Sequence, residues 1–263
     1  KGTLIASGFI EPGTITAAHD ESGHASFTGT VSNDAQRAFE TKLEGLDEIT
    51  AEVYTATIKE SIAANSRNHF GLEQLYEALL SGYITPEEAM EAYEKLGGEL
   101  KLTRTAKAIK KSIEAKLKTA IGQPYIDFAH ASLTDGEQVS LKSVVEKEGN
   151  KYVLLDFWAS WCSPCMMEVP YLISTYAQYH DKGFEIFGCS LDDEQADWKN
   201  AAETKEMNWV HVSDLKGWSC AGAGLYGVQS IPANYLIDCA TGTIIATNLR
   251  GEEVAAKIAE LLD

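Results

Sequence analysis

The sequence predicts an α/β domain, a mixed central sheet flanked by helices, over residues 121–263. A small β segment (1–32) and a helical domain (33–120) precede it. Three observations carry this. Beyond Gly122–Gln123–Pro124, apolar strand-like runs alternate with helical patterns, which argues for parallel pairing through right-handed crossovers. From Asn33 the apolar period changes to that of a helix. The apolar run Val153–Trp158 leads within a few residues into a helix start that carries two cysteines.

In residues 1–32, Leu4–Ile10 and Ala25–Val31 read as strands, with Gly8, Gly13, Gly23 and Gly29 supplying turns. Two strands alone make no stable sheet, so either this segment packs on another part of the chain or more of the sheet lies in sequence outside this one. Residues 34–44 and 47–65 read as helices joined at Gly45. Leu72, Leu75, Tyr76, Leu79 and Leu80 form an apolar stripe. Thr85–Pro86–Glu87–Glu88 is a helix start with a Thr cap, Pro at the first position and Glu at the third, and that helix stops at Gly97–Gly98. A helix over 103–119 puts Ile109, Ile113 and Leu117 on one face, with a solvated lysine-rich face opposite.

In the C-terminal part, Tyr152–Trp158 is a strand, Pro164–His180 a helix, Phe184–Leu191 a strand and Glu194–Thr204 a helix. A helix over Trp218–Tyr226 follows. Asn234–Asp238 and Thr243–Ala246 then form a β-hairpin, and Glu252–Leu262 closes the chain as a helix.

The chemistry concentrates at Asp156-Phe-Trp-Ala-Ser-Trp-Cys-Ser-Pro-Cys165. Cys162 falls at a helix N-cap and Pro164 in the first turn, where its missing N–H costs nothing. A thiol there faces unpaired N–H groups and the positive end of the helix dipole, which favour the thiolate, the nucleophile of disulfide exchange. Cys162 is expected to be the exposed attacker and Cys165 the resolving thiol. Pro170 should kink the helix. A metal reading of Cys-x-x-Cys needs a second ligand pair at similar spacing, and none is present, so no metal site is expected.

Asp156 interrupts a buried strand. Burial should raise its pKa and suit it to accept a proton from Cys165. Glu168 stands one turn beyond Cys165 and is a candidate for tuning the thiols. Ile231–Pro232 opens the strand at 234–238. A cis bond there would make a sharp turn, and Ile231 would offer its backbone to an extended substrate. Trp161, Ser163, Pro164, Ile231 and Pro232 are the candidate substrate-contacting residues.

These residues resemble the thioredoxin superfamily, and the wider pattern resembles its TlpA/ResA-like branch, often labelled AhpC/TSA. That pattern includes Gly122-Gln-Pro-Tyr-Ile-Asp-Phe, Asp135-Gly-Glu-Gln-Val-Ser-Leu, Cys165-Met-Met-Glu-Val-Pro and Phe184-Glu-Ile-Phe-Gly-Cys-Ser-Leu-Asp-Asp. The resemblance implies a thioredoxin fold, Cys162 as nucleophile, Cys165 as resolving thiol, Asp156 as the buried aspartate, Glu168 as the active-site glutamate and Pro232 as the cis-proline. It implies no cofactor beyond the redox-active Cys162–Cys165 disulfide. Protein thiols or disulfides would be the partners, with an upstream electron donor, outside the cytoplasm. Two departures stand out. Ser-Pro replaces the commoner Gly-Pro between the cysteines, and Leu191–Asp192–Asp193 occupies the strand end where thioredoxin carries a lysine. Residues 1–120 resemble the β-plus-helical domain that precedes the thioredoxin domain in Bacteroidetes-type members, through Gly29-Thr-Val-Ser-Asn-Asp-Ala and the helices after it.

Composition sets the outer bounds. A net charge of −17, from 39 acidic and 22 basic residues, argues against nucleic acid and anionic membranes as partners. The chain begins at Lys1, so a removed signal segment, or a lipoprotein signal with its anchoring cysteine, is expected. Of the remaining cysteines, Cys189 reads as an inert core residue, and nothing in the sequence establishes a Cys220–Cys239 pair. The leading expectation is a thiol–disulfide oxidoreductase acting as a reductase. The alternatives are a peroxide reductase, which would need threonine and proline where Ser160 and Trp161 stand, and a non-catalytic binding module.

Overall fold

The computed structural model describes residues 7–19 and 25–263, and the chain groups into two units, Lys1–Glu114 and Ala115–Asp263.

In the first unit, β1 (Thr16–His19) pairs antiparallel with β2 (Ala25–Thr28). The strand expected at Leu4–Ile10 differs: residues 7–10 are irregular, and residues 4–6 lie outside the described residues. Asn33 takes the place of a strand partner there. Its side chain accepts from the Phe9 N–H at 2.8 Å and donates to the Phe9 carbonyl at 2.9 Å. Gly29, at φ +95°, ends β2 where any Cβ would strike the Thr14 carbonyl. The helices α1 (Val31–Glu44), α2 (Ala51–Ala64), α3 (His69–Leu80), α4 (Pro86–Glu94), α5 (Gly98–Lys101) and α6 (Arg104–Lys118) follow. Local chemistry starts three of them: Thr50 caps α2, Asn68 caps α3, and Thr85 with Glu88 forms a complete capping box on α4. The α3 stripe is buried at Leu72, Leu75, Ala78 and Leu79, and α2 packs on it.

The second unit is built on a seven-stranded sheet of order β4-β3-β7-β6-β5-β8-β9. Its strands are β3 (Ala129–Ser132), β4 (Gln138–Ser140), β5 (Tyr152–Trp158), β6 (Phe184–Ser190), β7 (Val210–Ser213), β8 (Ala233–Asp238) and β9 (Thr243–Thr247). The central pairs β5–β6 and β6–β7 are parallel, and the outer pairs are antiparallel. Around them lie α7 (Leu141–Val145), α8 (Ser163–Tyr179), α9 (Gln195–Thr204), α10 (Ala221–Leu225) and α11 (Glu252–Leu262). β5 and β6 are buried nearly throughout because the sheet has covering structure on both faces. α8 continues through Pro170.

Two features depart from the sequence reading. β3, β4 and β7 have only three or four residues each and include His130, Ser132, Gln138, Ser140, His211 and Ser213, so no apolar run marks them. The helix expected over Trp218–Tyr226 is split into a 3-10 turn at Gly217–Ser219 and the short α10, separated by Cys220.

Candidate active site

β5 ends at Trp158, and four residues later Cys162 becomes the N-cap of α8. Its sulfur accepts the Cys165 N–H at 3.1 Å and is bonded to the Cys165 sulfur at 2.03 Å. The sulfur therefore sits at the positive end of a 17-residue helix. The expectation that Cys162 is exposed is corrected: Cys162 is 4% exposed and Cys165 3%. The Ile231 carbonyl oxygen lies 3.7 Å from the Cys162 sulfur and closes over it. Exposure belongs instead to the neighbours Trp161, Ser163 and Pro164.

The Ile231–Pro232 bond is cis. Arg250 donates to the Pro232 carbonyl and, at 2.9 Å, to that of Leu249. Asn234 holds this segment in place. Its side chain makes two 2.9 Å bonds to the Leu249 backbone, one donated and one accepted. Asn234 is also the β8 register partner of Asp156.

Asp156 is buried within β5, and burial pushes its carboxyl up to about 7. The Arg250 charge draws it down and the Glu168 charge pushes it up. Glu168 is half-buried on α8 and accepts the Gly251 N–H at 2.6 Å. Asp156, Glu168 and Arg250 thus form one electrostatic group under the cis-proline loop.

Asp192 fills the strand end where the resemblance led one to look for a lysine. Its carboxylate accepts from the Ser160 N–H at 3.0 Å, the Ser160 hydroxyl at 2.5 Å and the Ser190 hydroxyl at 2.6 Å. It ties the segment before Cys162 to the end of β6. Trp161 has a ring partner in Trp218, with centroids 6.0 Å apart and both rings half exposed.

This arrangement has known counterparts. Residues 121–246 match the AhpC/TSA family. The ResA thiol-disulfide oxidoreductase of Bacillus thuringiensis subsp. konkukian is 31% identical over 145 residues, which is 55% of this chain and 78% of the relative. The chain belongs to the ResA-like branch of the thioredoxin superfamily. A ResA of Bacillus cereus is 32% identical over 123 residues, 47% of this chain and 66% of that relative. The crystal structure of the thioredoxin domain of a thiol-disulfide oxidoreductase from Bacteroides vulgatus aligns with a TM-score of 0.50 and 34% identity, covering 55% of this chain and 99% of that one. Family membership accounts for the mixed sheet flanked by helices.

Arg250, Asn234, Asp192 and Trp218 escaped the sequence reading. Each acts from a chain segment far from Cys162. A lone Arg before a Gly and a helix start carries no local mark of a site. Cys189, Cys220 and Cys239 are free thiols, and the Cys220 sulfur faces Cys189 rather than Cys239.

Proposed function

We propose that this chain reduces protein disulfides outside the cytoplasm through Cys162 and Cys165. The observation that carries this is the Cys162–Cys165 pair capping α8, with a buried carboxyl of pKa about 7 on the strand that leads to it. In the reduced chain the Cys162 thiolate attacks a substrate disulfide. A Cys162–substrate disulfide forms and one substrate thiol leaves. The Cys165 thiol gives its proton to Asp156 and attacks the Cys162 sulfur. The second substrate thiol is released, and the chain is left with the Cys162–Cys165 disulfide. An upstream thiol donor then restores the dithiol. The cysteines themselves carry the electrons, and no other cofactor enters the step.

The Cys165 N–H aimed at the Cys162 sulfur supports Cys162 as the better thiolate. Exposed Trp161, Ser163 and Pro164 flank the sulfur, and the Ile231 carbonyl is placed to meet an extended substrate backbone. The Glu168 charge raises the pKa of Asp156 and so bears on the proton that Asp156 takes from Cys165. The extracytoplasmic setting rests on the resemblance to the TlpA/ResA-like branch. No helix among the described residues is long and apolar enough to cross a membrane.

The test is reduction of insulin disulfides by the full chain with a thiol donor. Cys162→Ala is expected to abolish turnover, and Cys165→Ala to accumulate a mixed disulfide with the substrate. Undiminished reduction by Cys162→Ala would overturn the proposal. So would hydrogen peroxide consumption at a rate matching disulfide reduction, which favours the peroxidase alternative.

A further inference from the structure

Away from the dithiol, three ligand atoms from three separate elements converge in the interior of the second unit. They are His130 Nε2 on β3, Cys189 Sγ on β6 and Cys220 Sγ in the turn before α10. The two sulfurs are 3.8 Å apart, and the Cys220 sulfur is 3.5 Å from His130 Nε2. All three atoms lie within 4.8 Å of one another. The residues are 6%, 0% and 2% exposed respectively.

The fold is arranged to make this approach. Gly222 follows Cys220 by two residues, and a Cβ there would come within 2.6 Å of the Phe128 ring. Without one, the turn docks closely enough for the Gly222 N–H to donate to His130 Nε2 at 3.3 Å. Nε2 thus accepts from Gly222, and the Cys220 sulfur lies 3.5 Å from it.

Two of the three spacings are close to those of ligands sharing one ion. Three ligands at about 120° around one ion, with metal–sulfur bonds of about 2.3 Å and a metal–nitrogen bond of about 2.0 Å, put the sulfurs roughly 4.0 Å apart and sulfur roughly 3.7 Å from nitrogen, each about 0.2 Å wider than the distances here. Thiolate and imidazole ligands select soft ions such as Cu(I), or Zn²⁺. Structural Zn²⁺ takes four protein ligands, and catalytic Zn²⁺ keeps an open position for water. Among the described residues no fourth His, Cys, Asp or Glu joins this group, and its burial leaves little access for water.

We propose that His130, Cys189 and Cys220 form a buried binding site for Cu(I), held by two sulfurs and one imidazole nitrogen. Binding displaces the thiol protons to solvent and takes the lone pair that the Gly222 N–H now shares. No redox step is involved. A bound ion staples the turn carrying Cys220, and with it Trp218 two residues earlier, to β3 and β6. Trp218 borders Trp161 beside the dithiol, so metal loading would fix one wall of the substrate surface.

The experiment uses the full chain with its Cys162–Cys165 disulfide intact, so that pair cannot bind. Cu(I) is generated anaerobically with ascorbate, which does not open disulfides, in competition with bathocuproine disulfonate. The wild type and Cys239→Ser are expected to retain one equivalent, with a copper-edge X-ray spectrum of two sulfur and one nitrogen neighbours. Cys189→Ala and Cys220→Ser, checked for folding by circular dichroism, are expected to weaken binding about a hundredfold or more, and His130→Asn at least about tenfold. Three results would overturn the site. One is complete stripping of the wild type by the chelator. Another is binding unchanged in the folded cysteine variants. The third is tighter retention of Zn²⁺ than of Cu(I). None of these readouts depends on disulfide reduction, so failure here leaves the proposed activity untouched, and the reverse.

Discussion

Asp156 couples the chemistry of the site to stability. Its carboxyl has an ordinary value of 3.8 and rises to about 7 in the fold, with burial as the largest cause. Between those values the unfolded chain loses a proton that the folded chain keeps. The contribution to stability is whole below about pH 4, falls as pH rises through 7 and then levels off. Replacing the acid with a neutral amide removes this penalty. Asp156→Asn is expected to match the wild type near pH 4 and to exceed it above pH 7 by up to roughly 4 kcal/mol, at 1.36 kcal/mol per pKa unit. Urea unfolding of the oxidised proteins at both pH values checks this, and equal stabilities at pH 8 would refute it. Disulfide reduction is expected to rise with pH near 7 as Asp156 becomes able to accept the Cys165 proton, and the same substitution to remove that rise. At this scale Cys162, Cys165 and Asp156 were legible because motif and strand are contiguous. The burial of Cys162 was not, because the Ile231 carbonyl that covers it arrives from 69 residues away.

Among the elements, helices with their own capping chemistry were the most readable. Thr85 accepts the Glu88 N–H at 3.2 Å, and the Glu88 carboxylate accepts the Thr85 N–H at 3.1 Å. Both arms are local, so the sequence pattern alone specifies them. Thr85→Ala removes the side-chain arm and is expected to cost about 1 kcal/mol. Chemical unfolding of the full chain reads it, and an unchanged midpoint would count against the cap's contribution. The strands β3 and β7 follow the opposite logic. Their residues pair with each other through Ala131–Ser213 and Ser132–Val212, and β7 also joins β6. Nothing within four polar-rich residues announces such a partner. The resemblance flagged Asp135-Gly-Glu-Gln-Val-Ser-Leu by pattern but did not resolve it into a strand.

For the whole molecule, the residues that match the family, 121–246, lie within the second unit, and the first of them are tied into its sheet. The Gly122 N–H donates to the Ile244 carbonyl at 2.7 Å and the Tyr125 N–H to that of Gly242 at 3.0 Å. The solved Bacteroides vulgatus relative aligns over 99% of its own length with 55% of this chain. A fragment of residues 115–263, the second unit, is expected to unfold cooperatively and to keep most of the full chain's rate of insulin reduction. Loss of the rate of disulfide reduction in a folded fragment would give the first 114 residues a part in the chemistry.

By itself the sequence determined the cysteine pair at a strand–helix junction, the aspartate within a buried strand and the switch from helical to alternating architecture. All of these are encoded in contiguous residues through periodicity, capping and charge. Tertiary structure alone decided that Arg250 and Glu168 act on Asp156, that Asp192 braces Ser160, that Trp218 stands beside Trp161 and that Cys189 meets Cys220 and His130. Those groups meet only because a mixed sheet brings distant strand ends to the same place. The register that aligns them is set by burial over the whole domain, which no local window of sequence contains.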